Sequence, residues 1–275
     1  MFKSQVQALY TALVADIPVI LWGPPGTGKT ATLTHLARKL GWHLEVVIGA
    51  TRDRTDFGGF PVARETGVEL HPLPWVKRLL QTGRESILFL DELSSTPEDV
   101  RPALLRVINE RQAGDHPLPS RIVAAANPAE QAVGGFDLEP PLANRLVHLE
   151  WSLTPQEWAT GIREGWETIY PDLPPPPPAE HLRTHQAHAL DLVALFLERN
   201  PSAGYRLPQD ENRGKAWPSY RTWYMAGILH GAAKALGLRE EVASLLISGA
   251  VGREGFSYLA FVRDLDLPDP KEVIR

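Results

Sequence analysis

The 275-residue sequence has no cysteine. Disulfides, thiolate zinc sites, iron–sulfur clusters and cysteine nucleophiles are therefore excluded, and a reducing compartment suits the chain. Long apolar runs are missing too: none reaches the roughly 18–20 residues needed to cross a membrane. The N-terminal stretch is interrupted by Gln5, Gln7 and Asp16, unlike a secretory signal. A cytoplasmic location with no membrane partner is expected. There is no surplus of basic charge, since 28 basic against 33 acidic residues leave a formal net charge of −5. Arg52, Arg54, Arg78 and Arg84 are scattered among acids, so a nucleic-acid partner is not expected. His181, His185 and His188 share a helix face, but no H-E-x-x-H glutamate lies between them, and they read as a polar helix surface. No G-x-S-x-G elbow occurs.

What is present is an ordinary globular balance, 43% hydrophobic and 22% charged, long enough to bury a large core. Helical spacing predicts a first helix over 4–15 with Ser4 as N-cap. The runs 18–22, 44–48, 87–90, 121–126 and 146–149 read as strands, with helical patterns between them and a helix over 29–40 ended by Gly41. Such alternation predicts an α/β domain with a mostly parallel sheet. After about Glu150 the pattern turns helical, over 155–169, 181–199, 219–236, 239–251 and 255–264. The run Pro174–Pro178 reads as a stiff surface spacer, with docking to a partner's aromatic groove as the alternative. Residues 200–218 read as a long loop.

The strongest motif is Gly23-Pro24-Pro25-Gly26-Thr27-Gly28-Lys29-Thr30, a G-x-x-x-x-G-K-[ST] loop that follows a strand and opens a helix. Glycines let successive backbone N–H groups face an anion, and the helix N-terminus adds partial positive charge. Lys29 is expected on the β- and γ-phosphates of ATP, and Thr30 on Mg²⁺. The third strand ends in Asp91-Glu92, which a buried strand delivers to the ligand-binding edge of the sheet. Asp91 is expected to hold Mg²⁺ through water, and Glu92 to orient and deprotonate the attacking water. Alone, such a pair could equally be a solvated strand end. Asn127, in Ala124-Ala125-Ala126-Asn127-Pro128, ends the fourth strand. Its amide can donate to the γ-phosphate and accept from water, although Asn-Pro is also a turn signal. An N-K-x-D base reader and an L-S-G-G-Q signature are both absent, which argues against GTPases and ABC ATPases. Position alone puts the nucleotide base near Ile17 and Pro18.

Together, GPPGTGKT, ILFLDE, AAANP and Pro140-Pro141-Leu142-Ala143-Asn144-Arg145-Leu146 resemble the AAA+ ATPases, in particular their MoxR-like or dynein-related branch. The resemblance covers residues 1–150 well and 151–275 loosely. It implies a P-loop parallel-sheet core over 1–150 followed by an all-helical lid over 151–275, the latter containing the Pro-rich segment 174–178. It also implies sensor roles and catalysis in trans. Asn127 is similar to sensor 1. Arg145 looks like the arginine finger acting on a neighbour's ATP, with a helix-end salt bridge as the alternative. Arg221, in Trp217-Pro218-Ser219-Tyr220-Arg221, looks like sensor 2, with Arg206 and Arg213 as rivals. The stretch 58–72 resembles the family's helix-2 hairpin insert, turning near Thr66-Gly67, and makes Arg64, Glu65 and Val68 candidates to face a client. A plain surface hairpin is the other reading.

The expected function is an ATP-hydrolysing homo-oligomeric ring motor, a hexamer, that remodels a client protein. With little chain before the first helix, specificity is expected from the insert or from an adaptor of the von Willebrand A type. Two alternatives stand: an AAA+ protein acting on nucleic acid, and a nucleotide-dependent binding switch with little turnover.

Overall fold

The computed structural model describes residues 1–65, 67–127 and 138–266, apart from the side chains of Glu211, Asn212 and Asp266. Thr66 and Pro128, singled out above, lie outside the described residues. Five strands form the main sheet: β1 (Val19–Trp22), β2 (His43–Ile48), β5 (Ser86–Asp91), β8 (Arg121–Ala126) and β9 (Val147–Glu150). They lie in the order β2-β5-β8-β1-β9, and every neighbouring pair is parallel. Two small antiparallel pairs stand apart, β3 (Phe60–Arg64) with β4 (Gly67–His71) and β6 (Gln112–Ala113) with β7 (His116–Pro117).

The strands are apolar on both faces because both faces are covered. Val19, Leu21, Ile87, Phe89, Val123 and Ala125 belong to one apolar cluster, whereas Ile20, Trp22, Leu88, Leu90, Ile122 and Ala124 belong to the other. The second cluster is closed by α4 (Pro74–Thr82) and α5 (Arg101–Glu110). The first is closed by α1 (Phe2–Ala15) and α2 (Lys29–Leu40), and it runs on without a break into the C-terminal helices. Two short helices, α3 (Arg54–Gly58) and α6 (Pro140–Ala143), complete the part before β9.

Beyond β9 come α7 (Pro155–Glu164), a 3₁₀ turn (Trp166–Ile169), α8 (Ala179–Arg199), α9 (Tyr220–Ala235), α10 (Glu240–Val251) and α11 (Glu254–Asp266). The helix expected over 155–169 therefore breaks at Gly165, and loop 200–218 holds two short 3₁₀ turns. The Pro174–Pro178 segment runs extended, and the Tyr10 hydroxyl donates to the Pro174 carbonyl at 2.5 Å.

The first helix starts at Phe2, two residues before the expected Ser4 cap. The reason is distant in sequence. Glu157 accepts from the Phe2 backbone N–H at 3.0 Å, and the Phe2 ring meets the edge of Trp151 at 5.4 Å. The hairpin pairs Arg64 with Gly67, so Gly67, expected near the turn, already belongs to the second strand.

The bundle meets the sheet most closely at α10. A Cβ on Gly249 would lie 2.4 Å from the His148 carbonyl oxygen on β9. Gly249→Ala is expected to cost about 1–3 kcal/mol through overpacking. Thermal unfolding should then shift downward by several degrees, and an unchanged midpoint would show that α10 stands off from β9.

Candidate functional site

The phosphate loop is clamped at its first residue. The Trp151 N–H donates to the Trp22 carbonyl at 2.6 Å, and the Gly23 N–H donates to the Ala126 carbonyl at 3.2 Å. A Cβ on Gly23 would stand 2.1 Å from the Trp151 carbonyl oxygen, so no larger residue fits there. Further on, the Trp151 indole N–H donates to the Thr27 carbonyl at 3.2 Å, and the Thr27 hydroxyl donates to the Pro24 carbonyl at 2.8 Å. Gly26 and Gly28 adopt φ of +79° and +80°, the left-handed conformation that lets the loop curl into the N-terminus of α2.

Lys29 opens that helix and is nearly buried, 9% exposed. Its Nζ donates to the Gly23 carbonyl at 2.6 Å, to the Pro24 carbonyl at 3.0 Å and to Asn127 Oδ1 at 3.4 Å. Burial holds its ammonium below the ordinary lysine range, and the nearby Asp91 charge works against that shift. The Thr30 hydroxyl points at Asp91 Oδ2, 3.5 Å away. Asp91 Oδ1 accepts from the Glu92 backbone N–H at 2.9 Å. Glu92 sits at φ +55°, an uncommon conformation for a residue with a side chain, and it is exposed where the chain leaves the sheet.

Two supporting residues were not anticipated. The first, Ser94, is buried in the turn after the acidic pair. Its hydroxyl donates to the Asn127 carbonyl at 3.2 Å and accepts from the Asn127 N–H at 3.3 Å, fixing Asn127 beside the acids. The second, His148, accepts from the Trp22 indole N–H at Nδ1 (2.9 Å) and donates from Nε2 to the Ala143 carbonyl (2.9 Å). This bridge joins β1 to the stretch that carries Arg145.

The arginines form a second cluster. Arg145 donates to Asn109 Oδ1 and to the Pro141 carbonyl. Burial lowers its pKa, and the charge of Arg221 lowers it further. The alignment comes from Asn144, also missed in the sequence. It accepts from the Ser219 hydroxyl at 2.7 Å and donates to the Trp217 carbonyl at 3.3 Å, pinning the N-terminus of α9 to the end of α6. Of the rivals to Arg221, Arg206 pairs with Glu254 at 2.9 Å, and Arg213 lies in the short turn Glu211–Gly214.

The site thus divides. Lys29, Thr30, Asp91 and Asn127 meet at the C-terminal edge of the sheet, with Glu92 beside them, while Arg145 and Arg221 flank the junction of α6 and α9 that Asn144 ties together. Ile17 and Pro18 lie at the opposite end of β1 from the loop, so the position-based placement of the base near them is not supported. Hydroxyl and carboxylate oxygens at Thr30 and Asp91 are the donor set a hard divalent cation prefers. A cavity of about 870 Å³ lies between β9, α10 and the 206–218 loop; among the described residues it borders neither the phosphate loop nor the acidic pair.

A strand, a glycine-rich phosphate loop, a helix and an acidic strand end on a fully parallel sheet define a P-loop nucleotide-binding domain. The family model for the AAA domain of the dynein-related subfamily matches residues 18–146, so this stretch is similar to the AAA domains of that subfamily. The crystal structure of a candidate ATPase from Cytophaga hutchinsonii has the same fold, with a TM-score of 0.51 and 15% identity over 94% of this chain and 88% of that one. No curated protein matches the sequence. Among the described residues no helix is long and apolar enough to cross a membrane.

Burial drives the His148 pKa down to about 4, below its unfolded value. The unfolded chain therefore binds a proton that the native chain refuses. Stability from this group is complete above pH 6.5 and is lost as pH falls toward 4, by about 3 kcal/mol in all. Chemical denaturation at stepped pH should show that decline, and His148→Gln should flatten it. An equal slope in both proteins would place the acid sensitivity elsewhere.

Proposed function

We propose that this chain is an ATP-hydrolysing AAA+ motor of the MoxR type, acting as a ring, expected as a hexamer, that remodels a partner protein. The observation that carries the reading is the convergence of the Lys29 amine, the Thr30 hydroxyl, the Asp91 carboxylate and the Asn127 amide at one sheet edge, with Glu92 beside them. The loop amides of residues 23–30 receive the triphosphate, and Lys29 exchanges its carbonyl partners for β- and γ-phosphate oxygens. Thr30, and Asp91 through water, would hold Mg²⁺, which would supply charge neutralisation on the phosphates. Glu92 takes a proton from the attacking water, and Asn127 holds that water and the γ-phosphate in line.

The arginine pair supports a shared active site. Two guanidinium groups placed to repel one another are stabilised by an anion set between them. Asn144 ties the stretch that carries Arg145 to the start of α9, which carries Arg221; we assign Arg145 to the γ-phosphate of ATP held by an adjacent subunit, and Arg221, as sensor 2, to reaching the γ-phosphate from the lid. Finger arginines of this kind contribute roughly 10³–10⁵ in rate. The β3–β4 hairpin, with Phe60 and Val68 exposed, is the surface offered to the client, Arg64 and Glu65 among its residues. An adaptor of the von Willebrand A type is the proposed route to client choice.

Glu92→Gln is expected to retain ATP while turnover falls at least a hundredfold, measured as phosphate release. A switch with little turnover would be unmoved by that change, and a protein acting on nucleic acid would show salt-sensitive stimulation by DNA. Neither Arg145→Ala nor Lys29→Ala is expected to hydrolyse ATP alone, whereas their mixture should recover activity. Failure of the mixture to recover would mean that each subunit completes its own site.

A further inference from the structure

Trp22 is the last residue of β1, and the phosphate loop begins at the next position. Its carbonyl is held by the Trp151 N–H, and its ring is held twice more. The indole edge is fixed by the bond to His148 at 2.9 Å, with the two rings side by side and 12° from coplanar. The ring face is covered by Lys215, whose Nζ stands 3.4 Å from the ring centroid. An indole attracts an ammonium to its face more strongly than the other aromatic rings do, and most strongly where water is kept out. Trp22 is only 3% exposed, so this contact is shielded.

Lys215 reaches that ring from the loop before α9, and the two residues after it are pinned. A Cβ on Gly252, at the end of α10, would lie 2.8 Å from the Ala216 carbonyl oxygen, so helix and loop are in close contact there. The Trp217 carbonyl accepts from the Asn144 amide at 3.3 Å and from the Thr222 hydroxyl at 3.0 Å. Residues 215–217 therefore form a strap with three fastenings: the ring beneath the phosphate loop, the end of α10, and the asparagine beside Arg145. All three strap residues also line the cavity of about 870 Å³, so open space borders the strap and the fastenings set its course.

We infer that Lys215 is a positioning residue for phosphate binding: by capping the Trp22 ring it holds the end of β1 in the orientation that presents the loop amides to a phosphate chain. The inference rests on the phosphate-loop reading above. Lys215 acts through Trp22 and not on the ligand. Without the cap the loop spends part of its time in arrangements that do not bind, and apparent affinity falls by the fraction of competent loop that is lost. Because the strap is also fastened to Asn144, the setting of the loop and the placing of Arg145 share one segment of chain.

Calorimetric titration of the full chain with ATP and with inorganic tripolyphosphate, each with magnesium, tests it. Lys215→Met is expected to weaken both ligands about fivefold, in line with the loss of a shielded cation–π contact. The two should fall alike, because the phosphate grip is what loosens. Lys215→Arg, which keeps a cation for the ring face, should restore most of the affinity. Trp22→Leu removes the ring, and adding Lys215→Met to it should cost little more, as a direct pair shows in a double-mutant cycle. Should Trp22→Leu fail to fold, Trp22→Phe keeps a weaker ring face, and Lys215→Met should cost less there than in wild type. A lysine with a merely structural role would lower the thermal midpoint and leave both affinities unchanged. That result, or an undiminished loss from Lys215→Met once the Trp22 ring is altered, would overturn the inference while leaving the phosphate grip standing. If wild-type protein binds neither ATP nor tripolyphosphate, the grip itself fails and the role of Lys215 with it.

Discussion

The structure hangs on the seam between β1 and β9. β1 is held between two parallel neighbours, and at its last residue the chain leaves the sheet to form the phosphate loop. What fixes the angle of departure is the Trp151 backbone: its N–H reaches back to the Trp22 carbonyl at 2.6 Å, and its own carbonyl packs where Gly23 has no Cβ. The same residue's indole then holds the Thr27 carbonyl. The loop is thus shaped from outside, by the strand beside it, before any phosphate arrives. Such preorganisation lowers the cost of ordering donors around an anion.

From that seam the functional groups separate into two stations. One is built on strand ends and the start of α2, where burial and the Asp91 charge act in opposite senses on Lys29. The other stands where α6 and α9 meet, and a buried asparagine rather than an ion pair sets its geometry. Buried polar groups with all partners in place specify position sharply, and one lost partner costs more than the bond itself is worth. Asn144 and Ser219 are neighbours in sequence of Arg145 and Arg221, so fixing the first two orients the second two.

Much of this could be read from the chain. The strands β1, β5 and β8, the helix over 29–40 and the acidic strand end all carry strong local signals: apolar runs of strand length, glycines at fixed spacing and a lysine at a helix start. The family model over 18–146 covers the same ground. The arginine pairing, the start of α1 and the break at Gly165 were not legible. Each depends on a partner far along the chain, such as Glu157 for Phe2 or Ser219 for Asn144. Ser94 and His148 look like ordinary loop and strand residues until their partners are known. A serine after two acids has no local reason to hold an asparagine 33 positions away.

The apolar cluster that begins under the sheet ends among the C-terminal helices, with α1 lying in both. A joint of that kind resists bending, because any swing of the bundle would bring side chains such as Leu9, Leu229 and Leu246 into water together. Sheet and bundle therefore behave as one lever. In a ring, strain created by cleaving a phosphate bond would leave such a rigid protomer only at its borders, so motion would be read between subunits and not within them.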